Sequence, residues 1–303
     1  MPTTPPPTAP KGPPPRSGPP PGPSAAPRAP SPAPDHVPGF ARLEHRTLGR
    51  RFCLLGMEGV GKTSLACLTP HAQIIMARGE SGYETLYNDH RLPNIPCASV
   101  DSWDGLIGLL DQIVKDPGDM KNLVLDALGG FERLCHEKVC ARDFKNDWGE
   151  KGFASFQKGY DISVTEWLGL LNRLDRLREH GINTWLISHT QVRTTKNPLG
   201  PDFDSYAAAC HPKTWGVTAK WADEIWFYAY HVITDKQGGK VKGIGGNARV
   251  LRTERSDAWD AKSRLALPPE IDIPGDPMEA YKLVADLLNV AITSTTPSLT
   301  KEA

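Results

Sequence analysis

The sequence predicts an α/β fold, a mainly parallel sheet flanked by helices with antiparallel strands towards the C-terminus. Two patterns carry that expectation. From Arg51 onward, short apolar runs alternate with longer stretches of helical periodicity, as in a parallel sheet covered by helices. Between the first apolar run and the first helical stretch stands a glycine-rich loop of the kind that joins a strand to a helix. The 303 residues are 39% hydrophobic, enough for a sizeable core.

In order, Phe52 to Leu55 reads as the first strand, Lys62 to Leu68 as the helix after it, and Gln73 to Ala77 as a second strand. Ala98 to Val100 is a weak strand before an amphipathic helix from Trp103 to Val114. Leu123 to Asp126 reads as a buried strand, followed by a helix from Phe131 to Arg142. Asp143 to Tyr160 lacks periodicity. A helix from Ser163 to His180 then sets Trp167, Leu170, Leu171, Leu174 and Leu177 on one face, and Thr184 to Ser188 is the next strand. Arg193 to Pro212 reads as irregular, Ile225 to Thr234 and Ala248 to Thr253 as strands with turns at Gly238-Gly239 and Gly245-Gly246, and Pro277 to Leu288 as a last helix.

Most of the 29 prolines precede residue 40, among Ala, Ser, Gly and Thr. Such a stretch cannot bury enough apolar surface to offset the entropy of ordering. Residues 1–45 are therefore expected to be a disordered tail, 46–291 one domain and 292–303 a second disordered tail. Zero net charge means that any nucleic-acid contact must come from a local patch. There is no run of 18 apolar residues and no charged-then-apolar leader, so neither a membrane span nor a secretory signal is expected. Six scattered cysteines read as reduced thiols of a cytoplasmic protein, and Cys135-His136 with Cys140 matches no standard zinc spacing.

Gly56-Met57-Glu58-Gly59-Val60-Gly61-Lys62-Thr63 is a full Walker A match between a predicted strand and a predicted helix. Its glycines let the backbone curl so that successive N–H groups face phosphates, and the helix N-terminus that continues through Ser64 adds its positive end. Lys62 is expected to reach the β- and γ-phosphates of ATP and Thr63 to ligate Mg²⁺. Asp126, closing a buried strand, is expected to hold the same ion. Asp126-Ala127-Leu128-Gly129 also fits the DxxG of GTPases, but no guanine-reading NKxD follows. Ala127 occupies the place where AAA+ proteins usually carry glutamate, so a general base must come from elsewhere.

Over residues 48–290 the chain resembles RecA-like P-loop ATPases, most closely the phage-encoded ones associated with single-strand annealing and recombination. The resemblance implies a catalytic glutamate at the tip of the second strand, and Glu80 in Ala77-Arg78-Gly79-Glu80 stands there. It implies a γ-phosphate sensor after the Walker B strand, for which Gln191 is the first choice and His189 the second. It implies a Lys-x-Arg element acting across a subunit interface, matched by Lys262 and Arg264, and hence a homo-oligomer, ring or filament. It also implies two DNA-binding loops. Residues 143–160 carry Lys145, Lys151 and Lys158 among Trp148, Phe153, Phe156 and Tyr160, and residues 193–213 carry Arg193, Lys196, Tyr206 and Lys213.

The resulting expectation is a single-stranded-DNA-dependent, Mg-dependent ATPase of phage or prophage recombination, working with an annealing or single-strand-binding protein. The alternative is a partner-regulated ATPase switch or assembly factor without DNA binding, its partner recruited through Lys11-Gly12-Pro13-Pro14. A small-molecule kinase would need an acceptor pocket or lid, which the sequence does not display.

Overall fold

The computed structural model describes residues 46–231, 234–237, 240–243 and 248–295. The proline-rich segment and the turns expected at Gly238-Gly239 and Gly245-Gly246 lie outside the described residues, as do residues 296–303. The parallel body of the sheet comprises β1 (Arg51–Gly56), β2 (Ala72–Ala77), β3 (Cys97–Val100), β4 (Asn122–Asp126), β5 (Asn183–Thr195) and β7 (Glu224–Tyr230). A hairpin strand β6 (Phe203–Ala208) follows β5, and β10 (Arg249–Arg252) and β11 (Glu270–Ile273) form the C-terminal edge. The order is β11-β10-β7-β1-β5-β4-β2-β3, parallel from β7 to β3 and antiparallel at β10 and β11. A separate ribbon pairs β8 (Thr234–Gln237) with β9 (Lys240–Gly243). The fold is the mixed α/β arrangement of a P-loop NTPase core.

Both faces of the sheet are covered, so its central strands are mostly apolar, and β1 and β4 are almost wholly buried. One face packs against α3 (Trp103–Lys115), α4 (Leu128–Phe144), α5 (Lys158–Glu179) and α6 (Pro212–Trp221), with Trp103 and Trp167 stacked 5.9 Å apart. The other packs against α1 (Lys62–Cys67), α2 (Gly82–Asn88) and α7 (Pro277–Thr295), around Phe52 stacked on Trp185 at 4.1 Å. No helix among the described residues is long and apolar enough to cross a membrane.

Several boundaries differ from the sequence expectation, each for a physical reason. The helix after β4 begins at Leu128, not Phe131. Its first turn includes Gly129 and Gly130, where close neighbours leave no room for a side chain: a Cβ on Gly130 would stand 2.6 Å from that of Ala77, and one on Gly129 2.9 Å from the Ala209 carbonyl oxygen. The stretch from Arg193 to Pro212 is not irregular. β5 runs on to Thr195 and returns as β6, with Thr194 bonded to Asp204 and Thr195 to Ser205 across the strands. Tyr206 packs against Phe227 and Ala208 is buried, but the other hairpin positions are mostly polar, so there is no sustained apolar alternation to read, although the Thr and Val residues favour strand. The helices α2 and α6 and the strand β11 were not anticipated. Finally, α7 extends to Thr295, past the expected start of a tail at residue 292.

Candidate nucleotide-binding site

The loop between β1 and α1 opens above the C-terminal ends of the parallel strands. Gly56 has no room for a side chain, since its Cβ would fall 2.2 Å from the carbonyl oxygen of Tyr228 on the neighbouring β7. Gly59 and Gly61 hold φ of 73° and 106°, conformations that turn the loop back into the helix. Val60 is wholly buried and pins the loop from below, while Met57 and Glu58 project outward. The helix starts at Lys62 with no side-chain cap, which leaves its leading N–H groups facing the cavity.

A cavity of about 350 Å³ lies over this loop, lined by Gly59, Gly61, Lys62, Thr63 and Ser64 together with Glu80, Asp126 and His189. Lys62 Nζ donates to the carbonyls of Gly56 and Met57, at 2.8 Å each. Burial lowers its pKa to about 8, with Asp126, Glu58 and Glu80 pulling the other way. Thr63 Oγ1 donates to Asp126 Oδ2 at 2.6 Å. Asp126 is 5% exposed and its pKa is raised by burial, against the bond from Thr63 and the charge of Lys62. Thus the Walker A lysine and threonine and the expected Walker B aspartate, 63 residues apart in sequence, meet at one point. A hydroxyl and a buried carboxylate in contact are hard oxygen donors suited to Mg²⁺, which commonly holds one or two protein ligands and keeps its waters. The donor set fits that ion.

Glu80 follows β2 through Gly79, whose φ is 89°, and its N–H closes a turn on the Ala77 carbonyl. Its pKa is raised, chiefly by burial and then by Asp126. His189 lies level with Gly56 in the β1–β5 register, and its Nδ1 is buried without a hydrogen-bond partner, 3.8 Å from Glu58 Oε1. Gln191 does not line the cavity; it sits further along β5, where its amide meets the Ala208 carbonyl or the Arg193 guanidinium, depending on how it is turned. Of the two expected sensors, His189 is the one that faces the loop.

Lys262 and Arg264 stand elsewhere. The backbone of Lys262 pairs with Ile225, at the end of β7 remote from the cavity. Its ammonium donates to the Ala219 carbonyl at 2.6 Å, and Arg264 pairs with Asp223 at 2.7 Å. Neither reaches the chain's own cavity. The segment 143–160 also differs from expectation: Phe153 is 1% exposed among Phe144, Trp148 and Tyr160, and Tyr160 stacks on His211 at 4.1 Å. These two rings are core and are not free to stack on bases, whereas Trp148 and Phe156 remain exposed. In the hairpin, Lys196 pairs with Asp202 and Arg193 donates to the Cys210 carbonyl, while Lys213 at the start of α6 pairs with Asp161.

Sequence reasoning missed Thr85, Arg91, Tyr228, Arg249, Pro277 and Ala280, which also line the cavity. They come from α2 and the segment after it, β7, β10 and α7, and only the order of strands in the sheet reveals that the C-terminal part returns to the loop. A Walker A loop with its lysine, threonine and opposing aspartate, on a sheet of this topology, is the core of a P-loop ATPase. Residues 48–265 match the family described as an AAA domain, and the chain belongs to that family. Comparison with curated proteins returned no match.

Proposed function

We propose that this chain hydrolyses Mg-ATP and that β5 carries the nucleotide state to the β5–β6 hairpin, where a DNA substrate of recombination is engaged. The observation that carries the reading is the convergence of Lys62, Thr63, Asp126 and Glu80 on one cavity. Lys62, released from the Gly56 and Met57 carbonyls, binds the β- and γ-phosphates, and the loop amides hold the rest of the chain of charge. Mg²⁺, held by Thr63 and Asp126, neutralises phosphate charge when bound. Glu80, with its raised proton affinity, orients the attacking water and takes its proton. His189 lies beside the γ-phosphate position and begins the stretch of β5 that becomes the hairpin, so loss of that phosphate alters a contact at the hairpin's root.

Single-stranded DNA is the partner that the resemblance to RecA-like ATPases implies. The exposed groups that suit it are Trp148 and Phe156 with Lys145, Lys151 and Lys158. Lys262 and Arg264, remote from their own cavity, would serve that of a neighbouring copy in a homo-oligomer. A second reading, a protein-regulated switch, is favoured by one feature: Leu199 at the hairpin tip is 96% exposed, and the neighbouring charges are already paired. ATP turnover with and without single-stranded DNA at low salt separates the two. Stimulation supports the DNA reading. Unchanged turnover with no retardation of the strand removes it and leaves the ATPase standing.

A further inference from the structure

We propose that Arg249 is a nucleotide contact in cis, its guanidinium taking the α-phosphate and ribose end of a ligand whose β- and γ-phosphates lie over Lys62. The inference rests on the nucleotide reading above and extends it to the opposite wall of the cavity. In the β7–β10 register, Arg249 faces Tyr230, two residues beyond the level at which Tyr228 adjoins Gly56. Its side chain therefore lies above the sheet on the loop side. A Cβ on Gly61 would be 3.6 Å from an Arg249 guanidinium nitrogen and 3.7 Å from the Tyr228 hydroxyl, so both abut the phosphate loop.

Among the described residues, Arg249 has no carboxylate partner. One nitrogen donates to the Gly275 carbonyl at 3.2 Å, the side chain is hydrogen-bonded to Tyr228, and the guanidinium lies 5.7 Å from the ring centroid of Tyr230. None of these partners is anionic, and Nε is buried without a hydrogen-bond partner. A guanidinium against the Gly61 turn of the phosphate loop adds a second cation to the wall of a cavity that already holds Lys62. The cavity's lining divides by strand, with Arg91 a further cation from the segment after α2. Glu80, Asp126 and His189 come from the β2, β4 and β5 side, where the ion and the γ-phosphate belong, while Arg249 and Tyr228 come from the β7 and β10 side. A ligand anchored at Lys62 with its γ-phosphate towards Glu80 must run its α-phosphate towards Arg249. Leu65, Pro277 and Ala280 then give the base an apolar surface.

The test is equilibrium binding of MgATP and MgADP to wild type, Arg249→Ala and Arg249→Lys, with unliganded melting temperatures as the control for folding. Because the contact is to the part that both nucleotides share, Arg249→Ala should weaken both by the same factor, about 10- to 100-fold for a charge-assisted hydrogen bond. Arg249→Lys should recover part of the loss. Wild-type affinity in Arg249→Ala overturns the inference, as does a loss confined to ATP, which would put the group at the γ-phosphate. Failure of both variants to fold would assign Arg249 to bracing α7 through Gly275 and would equally overturn it. If wild type binds neither nucleotide, the underlying ATPase reading fails and takes this inference with it.

Discussion

At the scale of single residues, the cavity separates binding from chemistry. In the proposed reading Lys62 and the loop amides meet the phosphates, whereas Glu80 lines the same cavity with a proton affinity raised by burial and by Asp126. Glu80→Gln should therefore keep ATP affinity and lower turnover by about 10²- to 10⁴-fold, the range of a lost general base. A variant that turns over at the wild-type rate assigns proton removal to another group. A second residue away from the cavity sets acid stability. His136 lies on α4 against Phe153 and Tyr160, with Glu132 at 4.0 Å and His211 and Arg133 adding positive charge. Burial lowers its pKa from 6.5 to about 4. Between those values the unfolded chain holds a proton that the folded chain refuses, so stability from this group is intact above the upper value and falls as pH drops towards the lower. The loss is on the order of 3 kcal/mol. His136→Gln should flatten the decline in urea-unfolding free energy between pH 7 and pH 4.5, and an unchanged slope would locate the sensitivity elsewhere.

At the scale of elements, the connection from α4 to α5 is a packed plug with an exposed rim. Phe153→Ala should cost about 3–5 kcal/mol in unfolding free energy, as for a buried aromatic ring. Phe156, wholly exposed at φ 45°, should tolerate Asn within about 0.5 kcal/mol. Equal effects would contradict the division between core and rim. The same connection shows what the sequence makes legible. The parallel strands and the helix bearing Trp167 and Leu170 announce themselves because each buries a continuous apolar run or stripe. The hairpin does not, because its buried contacts are few, chiefly those of Ala208 and of Tyr206 against Phe227, and the rest of both strands is polar. Phe153 misleads in the other direction: an aromatic beside glycines and lysines has the composition of a base-stacking loop, and only the fold of α4 against α5 shows that it is covered.

At the scale of the whole molecule, the phosphate loop and Asp126 could be read from motif spacing and Glu80 from the family resemblance, whereas Thr85 and Arg91 could not. Nor could the C-terminal part of the site. Tyr228, Arg249 and Ala280 reach the cavity only because β7 returns beside β1, β10 turns back antiparallel, and α7 lies over α1. Lys262 and Arg264 belong to the opposite end of β7, so any part they take in turnover passes between copies of the chain. Mixing Arg264→Ala with Lys62→Ala subunits, each inactive alone, should then restore turnover, and a mixture that stays inactive would confine Arg264 to its pair with Asp223.

The account depends most on the loop and the ion site meeting around a triphosphate. Calorimetric titration of MgATP into wild type, Lys62→Ala and Asp126→Asn tests this directly. The prediction is saturable one-to-one binding by wild type, at least about 100-fold weaker binding by Lys62→Ala through loss of a buried cation–phosphate contact, and loss of the magnesium dependence in Asp126→Asn. Equal affinities in all three proteins would contradict it.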